Sequence, residues 1–370
     1  MELHLSPTTA ASSVDVPAMA DFIASLQKAN GEIPWSEGGK TDPWDHVESA
    51  MGLCVAGRHR EAEKAYEWLA ATQLPDGSWW SATRDGKIED GTRDSNVASY
   101  VAVGMYHNFL ITRDSELLKC FWPTLEGGVD YAVGLQADSG AIHWARNRAG
   151  AVDHMALLTG SSSVYMSLKC AIAIAFILQK RRTDWEAALK KLGGAIRFRP
   201  NLFNMMKSRY SMDWYYPVLC GAVTGEDART RIDRSWEKFV VPDWGVRCVS
   251  DQPWVTTAEA AELVLALTAS GERERAAIVF NWICDKKYED GSYWMGVTFP
   301  DGVIWPEERT SWTAAAVLLA HDALHDLTPA SRLFSHEFWS RSDSVLEVAG
   351  GGSPCLPDLR KKTAFPLSRG

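Results

Sequence analysis

Four stretches that share one pattern decide the fold: FIASLQKANGEIPW (Phe22–Trp35), WLAATQLPDGSW (Trp68–Trp79), YAVGLQADSGAIHW (Tyr131–Trp144) and WICDKKYEDGSYW (Trp282–Trp294). In each stretch an aromatic residue precedes a glutamine by five positions, and a glycine-containing turn then ends in tryptophan; the fourth copy has Lys287 in place of the glutamine. The pattern is typical of an amphipathic helix that ends in a tight turn. Internal repeats of this size indicate an array of helical hairpins.

Helical periodicity predicts about twelve helices and almost no strand, and the helices alternate between two kinds. The amphipathic ones cover roughly residues 15–28, 60–73, 115–136, 183–195, 226–240 and 272–285. The others, apolar on nearly all sides, cover roughly residues 43–57, 95–112, 158–179, 213–224, 256–270 and 310–325. A helix that is apolar all round is buried, and one with a polar face lies outside. The alternation therefore predicts an all-α (α/α)6 toroid, a double ring of about twelve helices.

Composition bounds the protein class. The 370 residues are 46% hydrophobic, which is enough for a large core, and no change in composition marks a linker. We expect a single domain over residues 1–339 and a flexible Gly-, Ser- and Pro-rich tail over residues 340–370. The net charge of −9 and the scattered basic residues argue against nucleic acid as a partner.

The sequence predicts a cytoplasmic protein. No basic segment followed by an apolar run stands at the start, and no apolar stretch reaches membrane-spanning length. Seven cysteines without a C-x-x-C pair are typical of reduced thiols. The oligomeric state is left open.

Two known families share parts of this pattern. The Gln–Gly–Trp turns resemble the QW-type repeats of terpenoid cyclases and protein prenyltransferase β-subunits. The segment RDSNVASYVAVGMYHNFLITRDSELLKCFWPTLEGGVDYAVGLQ (residues 93–136) resembles six-hairpin glycosidases. The two resemblances imply the same helical ring but different chemistries.

In such a ring the loops that lead into the inner helices converge on one face, and here they are rich in acids and aromatic residues. As acid/base candidates we single out Asp94, Asp213, Glu259, Glu307 and Glu308. As candidates for substrate binding we single out Trp44, Asp45, His46, Glu48, Asn96, Arg146, Trp214, Tyr215, Tyr216, Arg247, Trp254, Trp305, Arg309 and Trp312.

Several of these residues also fit structural roles. Asp42 before Pro43 is a good helix N-cap, and Thr256 with Glu259 matches a capping box. Asp94 and Asp213 would each be favoured near the positive end of a helix dipole. A lone histidine such as His46 is more often hydrogen-bonded in a core than catalytic.

Carboxylates set among aromatic rings are typical of sites that bind and cleave sugars. One protonated acid donates to the leaving oxygen, while a second carboxylate activates water or attacks carbon. The sequence therefore predicts acid/base hydrolysis of an oligosaccharide or glycoconjugate in the central cavity, with no metal and no cofactor. The alternative is an isoprenoid enzyme, since aromatic faces also stabilise carbocations. A non-catalytic binding ring is a third possibility, and a sugar epimerase or lyase would use the same groups.

Overall fold

The computed structural model describes residues 14–341, so nearly all of the predicted tail lies outside the described residues. The helices are α1 Val16–Leu26, α2 Pro43–Val55, α3 His59–Thr72, α4 Ser95–Ser99, α5 Val101–Thr112, α6 Ser115–Val133, α7 Leu158–Ile177, α8 Thr183–Phe198, α9 Ser211–Leu219, α10 Gly225–Phe239, α11 Thr257–Ala269, α12 Arg273–Ile283, α13 Ser311–His325 and α14 His336–Ser340. The twelve predicted helices correspond to α1–α13 with bounds that differ by at most about five residues, α4 and α5 together forming the predicted helix 95–112, and α14 was not predicted.

The helices form two concentric rings, as predicted. The inner ring consists of α2, α4–α5, α7, α9, α11 and α13, each packed on the next, and α13 packs back on α2 to close the circle. The outer ring consists of α1, α3, α6, α8, α10 and α12. Every residue of α11 from Thr257 to Leu267 is buried, whereas α10 buries only Ala228, Ile232 and Phe239 along one face. The core therefore lies between and within the rings.

The repeated glutamines join successive outer helices. Gln73 Nε2, just after α3, donates to Gly77 O at 2.9 Å across its own turn and to Thr124 O of α6 at 2.8 Å. Gln27 bonds in the same way across its turn and to α3, and Gln136 across its turn and to α8. Each side-chain amide thus satisfies two carbonyl groups and fixes one hairpin against the next.

The repeated glycines allow the close approach that this bonding needs. Gly77 has φ +87°, and a Cβ atom there would lie 2.1 Å from Gly127 O of α6. Gly31 meets Lys64 O of α3 at the same 2.1 Å. In the fourth copy Lys287 replaces the glutamine, and Gly291 has only Ala18 Cβ of α1 nearby, at 3.6 Å. The fourth turn therefore closes the outer ring through a looser contact.

We expect Gly77→Ala to destabilise the fold by about 3 kcal/mol, because the new Cβ atom meets a backbone carbonyl that cannot move alone. Gly57→Ala is the matched control, since Gly57 also has a positive φ (+77°) but nothing within 4 Å of its Cβ position. That control should cost only about 1 kcal/mol. Urea unfolding measures both, and equal losses would contradict the packing role of the repeat glycine.

The two faces of the toroid differ in their connections. Outer helices lead to inner ones through long loops, such as residues 73–94 and 284–310, whereas inner helices lead to outer ones through short turns, such as residues 56–58 and 113–114. The long loops carry nine short strands: β1 Ala82–Arg84, β2 Lys87–Asp90, β3 Arg93–Asp94, β4 Ala145–Arg146, β5 Val152–Asp153, β6 Val240–Val241, β7 Gly245–Arg247, β8 Trp254–Thr256 and β9 Gly296–Thr298. They form antiparallel sheets in the orders β1-β2, β3-β4-β5 and β6-β7-β8-β9. The prediction of an all-α fold is confirmed; these short strands were not predicted individually, because segments of two to four residues carry no readable alternation.

Helix α14 packs on the opposite face. Trp339 lies over the Lys169 ammonium at 4.5 Å and against Tyr106 at 5.8 Å, and the His336 ring bonds Val218 O at 2.7 Å. These contacts join α14, which follows the C-terminal end of α13, to α5, α7 and α9. The long-loop face is therefore the side from which a ligand enters the ring.

Among the described residues only α7 is long and apolar enough to cross a membrane, and 67% of its apolar window is buried inside the ring. That burial is the pattern of a core helix.

Candidate active site

Two inner helices each present a pair of carboxylates with the same spacing. Asp45 and Glu48 occupy the third and sixth positions of α2, and Glu259 and Glu262 occupy the third and sixth positions of α11. Residues three apart share a helix face. All four side chains are buried. Beyond the effect of burial, the charge of Glu48 raises the pKa of Glu262, and the charge of Glu262 raises the pKa of Asp45, across the intervening α13. The four acids therefore converge inside the ring.

The deeper acid of each pair is held by aromatic donors. Tyr100 Oη and Trp312 Nε1 donate to the two oxygens of Glu48, at 2.7 and 2.9 Å. Tyr215 and Tyr216 donate in the same way to the two oxygens of Glu262. Burial raises the pKa of Glu48 to about 7 and holds the pKa of Glu262 well above its usual range, with further elevation from the charge of Glu48. These two carboxyls have little freedom to act on a ligand.

Asp45 and Glu259, the acids nearer the start of each helix, have fewer hydrogen bonds to the protein. Within residues 14–341 the Asp45 carboxyl accepts no hydrogen bond, although it is only 9% exposed. Burial, and then the charges of Asp42 and Glu48, hold its pKa well above the ordinary value for an aspartate. Glu259 lies beside the Cys248 thiol, whose pKa is raised by burial and by the charge of Glu259. A carboxyl with a raised pKa and a second carboxyl on another inner helix are the two groups that acid/base cleavage requires.

Aromatic rings surround the α2 side of the cavity. Trp44 stacks on Tyr100 with ring centroids 4.7 Å apart, and its edge contacts Trp312 at 6.2 Å. Trp35, the tryptophan of the first repeat, lies 5.6 Å from Trp312. Trp44 Nε1 is buried without a hydrogen-bond partner among the described residues. A polar donor left open beside aromatic faces suits a sugar ring and its hydroxyl groups.

The predicted acids Asp94 and Asp213 are engaged in hydrogen bonds to the protein. Asp94 caps α4 by accepting from the backbone of Asn96 at 2.6 Å, and burial raises its pKa to about 7. The Asp213 carboxyl accepts hydrogen bonds from Thr159 Oγ1 at 2.6 Å and from the backbone N–H of Thr159. Burial raises the pKa of Asp213. The Asn96 side-chain oxygen is buried without a described partner.

His46 and Trp214 point away from the cavity, contrary to the prediction that they bind substrate. Ile33 N donates to His46 Nδ1 at 3.0 Å, and Nε2 lies 2.9 Å from Ala65 O of α3, so both ring nitrogens are used. Burial lowers the pKa of His46 to about 4. Trp214 stacks on Phe239 of α10 at 5.2 Å. Adjacent helix positions point about 100° apart, which turns these rings outward while their neighbours face inward.

The remaining predicted residues lie in the long loops around the opening. Trp305 is exposed and packs edge-on against Trp254 at 5.3 Å. Glu307 is exposed, and Glu308 accepts from Ser36 Oγ at 2.8 Å.

The three predicted arginines have partners in the same loops. Arg309 pairs with Asp290 at 3.4 Å. Arg146 donates to Gly150 O at 3.2 Å, and Arg247 donates to Lys238 O at 3.0 Å. These roles stabilise the loops that frame the cavity.

Sequence reasoning missed Glu262. It stands one turn beyond Glu259, as Glu48 stands one turn beyond Asp45, and that shared spacing was the available signal. Among the described residues no group of three or more His, Cys, Asp or Glu side chains is arranged to hold a metal ion.

No family model matches the chain. A curated protein of Mycolicibacterium hassiacum, an MMP endo-(1,4)-3-O-methyl-alpha-D-mannosidase, is 49% identical over 315 residues, which are 85% of this chain and 87% of that protein. Among solved structures, a D-mannose isomerase matches with a TM-score of 0.65 at 10% identity, over 86% of this chain and 99% of its own. A glycosidase in complex with glucose matches with a TM-score of 0.62 at 16% identity, over 85% and 96% of the two chains. The structural matches establish the toroid fold.

Proposed function

The chain belongs to the family of the MMP endo-(1,4)-3-O-methyl-alpha-D-mannosidase, and we propose that it too cleaves internal (1→4) bonds of a 3-O-methylated α-mannoside chain. It is a glycoside hydrolase, as its sequence predicted. The alternative of an isoprenoid enzyme gains no support, since the glutamines and glycines of the repeated turns join outer helices to one another.

We assign the general acid to Asp45 and the second carboxylate to Glu259. The observation that carries this choice is that both stand in the first turns of inner helices and that the Asp45 carboxyl accepts no hydrogen bond among the described residues, whereas Glu48 and Glu262 have both oxygens bonded and Asp94 and Asp213 each have one oxygen bonded. Asp94 caps a helix, Asp213 bonds Thr159, and Glu48 bonds Tyr100 and Trp312. A catalytic carboxyl must reach the substrate, so Asp45 fits the role of acid, and Glu259, whose partner is the weakly bonding Cys248 thiol, fits the role of second carboxylate.

The proposed reaction follows from these states. The Asp45 carboxyl, whose pKa burial and neighbouring negative charge hold well above its ordinary value, donates its proton to the glycosidic oxygen as the C–O bond breaks. Glu259 acts on the opposite face of the sugar, either removing a proton from attacking water or attacking the anomeric carbon itself. The configuration of the first product, followed by proton NMR, distinguishes these two courses.

Glu48 and Glu262 are positioning residues in this scheme. The charge of each raises the pKa of Asp45, while their aromatic donors keep them from approaching the substrate. They therefore help to keep the acid protonated.

The direct test of the activity compares three polymers: a (1→4)-linked 3-O-methyl-α-mannan, its unmethylated counterpart and an α-(1→4)-glucan. We expect the methylated mannan to be cut fastest, with oligosaccharides of several lengths formed early, as endo action requires. Faster cleavage of the glucan, or release of monosaccharide alone, would contradict the proposal.

A pH profile tests the acid. Asp42 caps α2 through Trp44 N at 2.8 Å, and its charge raises the pKa of Asp45. Asp42→Asn keeps a capping side chain but removes the charge, so the pKa of Asp45 should fall and the alkaline limb of kcat/KM should move to lower pH. Asp114→Asn, a change at the N-cap of α6, is the control and should leave the limb in place. An unmoved limb in Asp42→Asn would remove Asp45 from the acid role.

We also place the enzyme in the cytoplasm. Cys54, Cys120, Cys170, Cys220 and Cys248 are free thiols, which supports a reducing compartment. An oligosaccharide is the expected partner.

A further inference from the structure

Exposed apolar side chains on this protein are concentrated around the cavity opening. Of the eight large hydrophobic residues that are exposed among residues 14–341, only Leu327 lies away from the long-loop face. Phe198 ends α8, and the other six belong to long loops: Met155, Met205, Met206, Tyr210, Val303 and Trp305. We call these six residues the apolar rim. Met205 and Met206 are 71% and 78% exposed, an unusual state for adjacent methionines on a protein surface.

The rim is a built surface that runs from loop to loop. Asn204 fixes the methionines: its backbone N–H donates to Ala156 O at 2.9 Å, and its side-chain oxygen accepts from Met206 N at 3.0 Å. Its side-chain amide also lies beside the Met155 sulfur, at 2.9 Å. The three methionines are therefore held in one place.

The next loop continues the surface toward Trp305. Tyr210 pairs with Val249, and Arg209 forms an ion pair with Asp251 at 2.7 Å. Three residues further on, Trp254 donates through Nε1 to Trp305 O at 2.6 Å, and the two indoles pack edge to face. The rim thus follows the opening from the α6–α7 loop to the α12–α13 loop.

We propose that the apolar rim binds the part of a methylated polysaccharide that extends beyond the cavity. This inference rests on the proposed function, because an endo-acting enzyme must hold sugar units on both sides of the bond that it cuts. Since α14 packs on the far side of the ring, the rest of the polymer must leave across the opening. Each 3-O-methyl group replaces a hydroxyl donor by an apolar methyl. A polymer carrying many of them matches methionine and tryptophan side chains far better than an ordinary mannan does.

The first test separates binding at the rim from chemistry in the cavity. Met205→Ser/Met206→Ser changes two exposed side chains that touch no catalytic candidate. We expect it to raise KM for the long methylated polymer about tenfold, with kcat unchanged, because the loss is confined to ground-state binding. A short methylated oligosaccharide that fills only the cavity, and the unmethylated mannan, should be cleaved as by the wild type. An unchanged KM for the long polymer, or equal losses on all three substrates, would overturn the proposal.

The second test works even if the polymer is not cleaved. In a protein with 13C-labelled methionine methyl groups and the Asp45→Asn change, the long methylated polymer should shift the Met155, Met205 and Met206 signals, and the unmethylated polymer should not. If the signals shift but the wild type does not cleave the polymer, the proposed activity is refuted and binding of the polymer at the apolar rim is supported. Cleavage without shifts would refute the rim and keep the activity. A third outcome is that the polymer leaves these signals unshifted while phosphatidylcholine vesicles or a high protein concentration shifts them. That result would overturn the proposal and assign the surface to a membrane or to a second copy of the chain.

Discussion

Asp45→Asn should lower kcat on the methylated mannan by about 10³-fold at the pH optimum, because the variant cannot donate a proton to the glycosidic oxygen. A substrate with an activated aryl leaving group needs no protonation, so the same variant should lose less than about tenfold on it. The difference between the two substrates identifies an acid, since a general defect in folding or binding would depress both.

Asp94→Asn is the matched control for this experiment. Asp94 is also a carboxyl with a raised pKa near the opening, but it caps α4. Asparagine is an equally good cap, so activity should change by less than about threefold. A loss in Asp94→Asn as large as that in Asp45→Asn, and confined to the unactivated substrate, would move the acid role to Asp94.

Glu259→Ala should lower kcat by about 10³-fold or more on both the polymer and the activated aryl substrate, because bond cleavage still lacks its second carboxylate. Added azide should restore turnover of the activated substrate by occupying the vacated space. The glycosyl azide should have the inverted configuration, because azide attacks from the face that Glu259 occupied, and the configuration of the wild-type product then distinguishes a nucleophile from a base.

Two further substitutions act as controls for Glu259, one in the α12–α13 loop and one in the next turn of α11. Glu307→Gln alters an exposed acid and should leave the rates unchanged. Glu262→Gln should disturb the Tyr215 and Tyr216 hydrogen bonds and shift the alkaline limb, without a need for azide. Azide rescue of Glu262→Gln, together with an active Glu259→Ala, would assign the second carboxylate to Glu262 instead.

The fold was largely predictable because its signals are periodic. Outer and inner helices differ in how many of their faces are apolar, and in each helix that difference recurs over about ten or more residues. The Gln–Gly–Trp turns also predicted hairpins correctly, but their purpose needed coordinates: a sequence does not show that Gln73 reaches Thr124 of the next outer helix. The short strands escaped notice because pairs such as Arg93–Asp94 with Ala145–Arg146 are fixed by loop positions and not by composition.

The location of the site could be predicted from the sequence, but the roles of its individual residues could not. The loops before the inner helices do surround the cavity, but side-chain direction within one turn separates neighbours of similar chemistry. Tyr215 and Tyr216 bond Glu262, while Trp214 beside them packs outward on Phe239. Burial and hydrogen bonding likewise distinguish Asp45 from Asp94, and no sequence pattern encodes that difference.

The most direct test of the account is a crystal structure of the Asp45→Asn variant with an uncleaved 3-O-methyl-α-mannan oligosaccharide. We predict that the scissile glycosidic oxygen lies within hydrogen-bond distance, about 3 Å, of the side chain at position 45. The adjacent anomeric carbon should face Glu259, and the outer sugars should pass over Met205 and Met206. A scissile bond beside Asp94 or Asp213, with position 45 out of reach, would contradict the account.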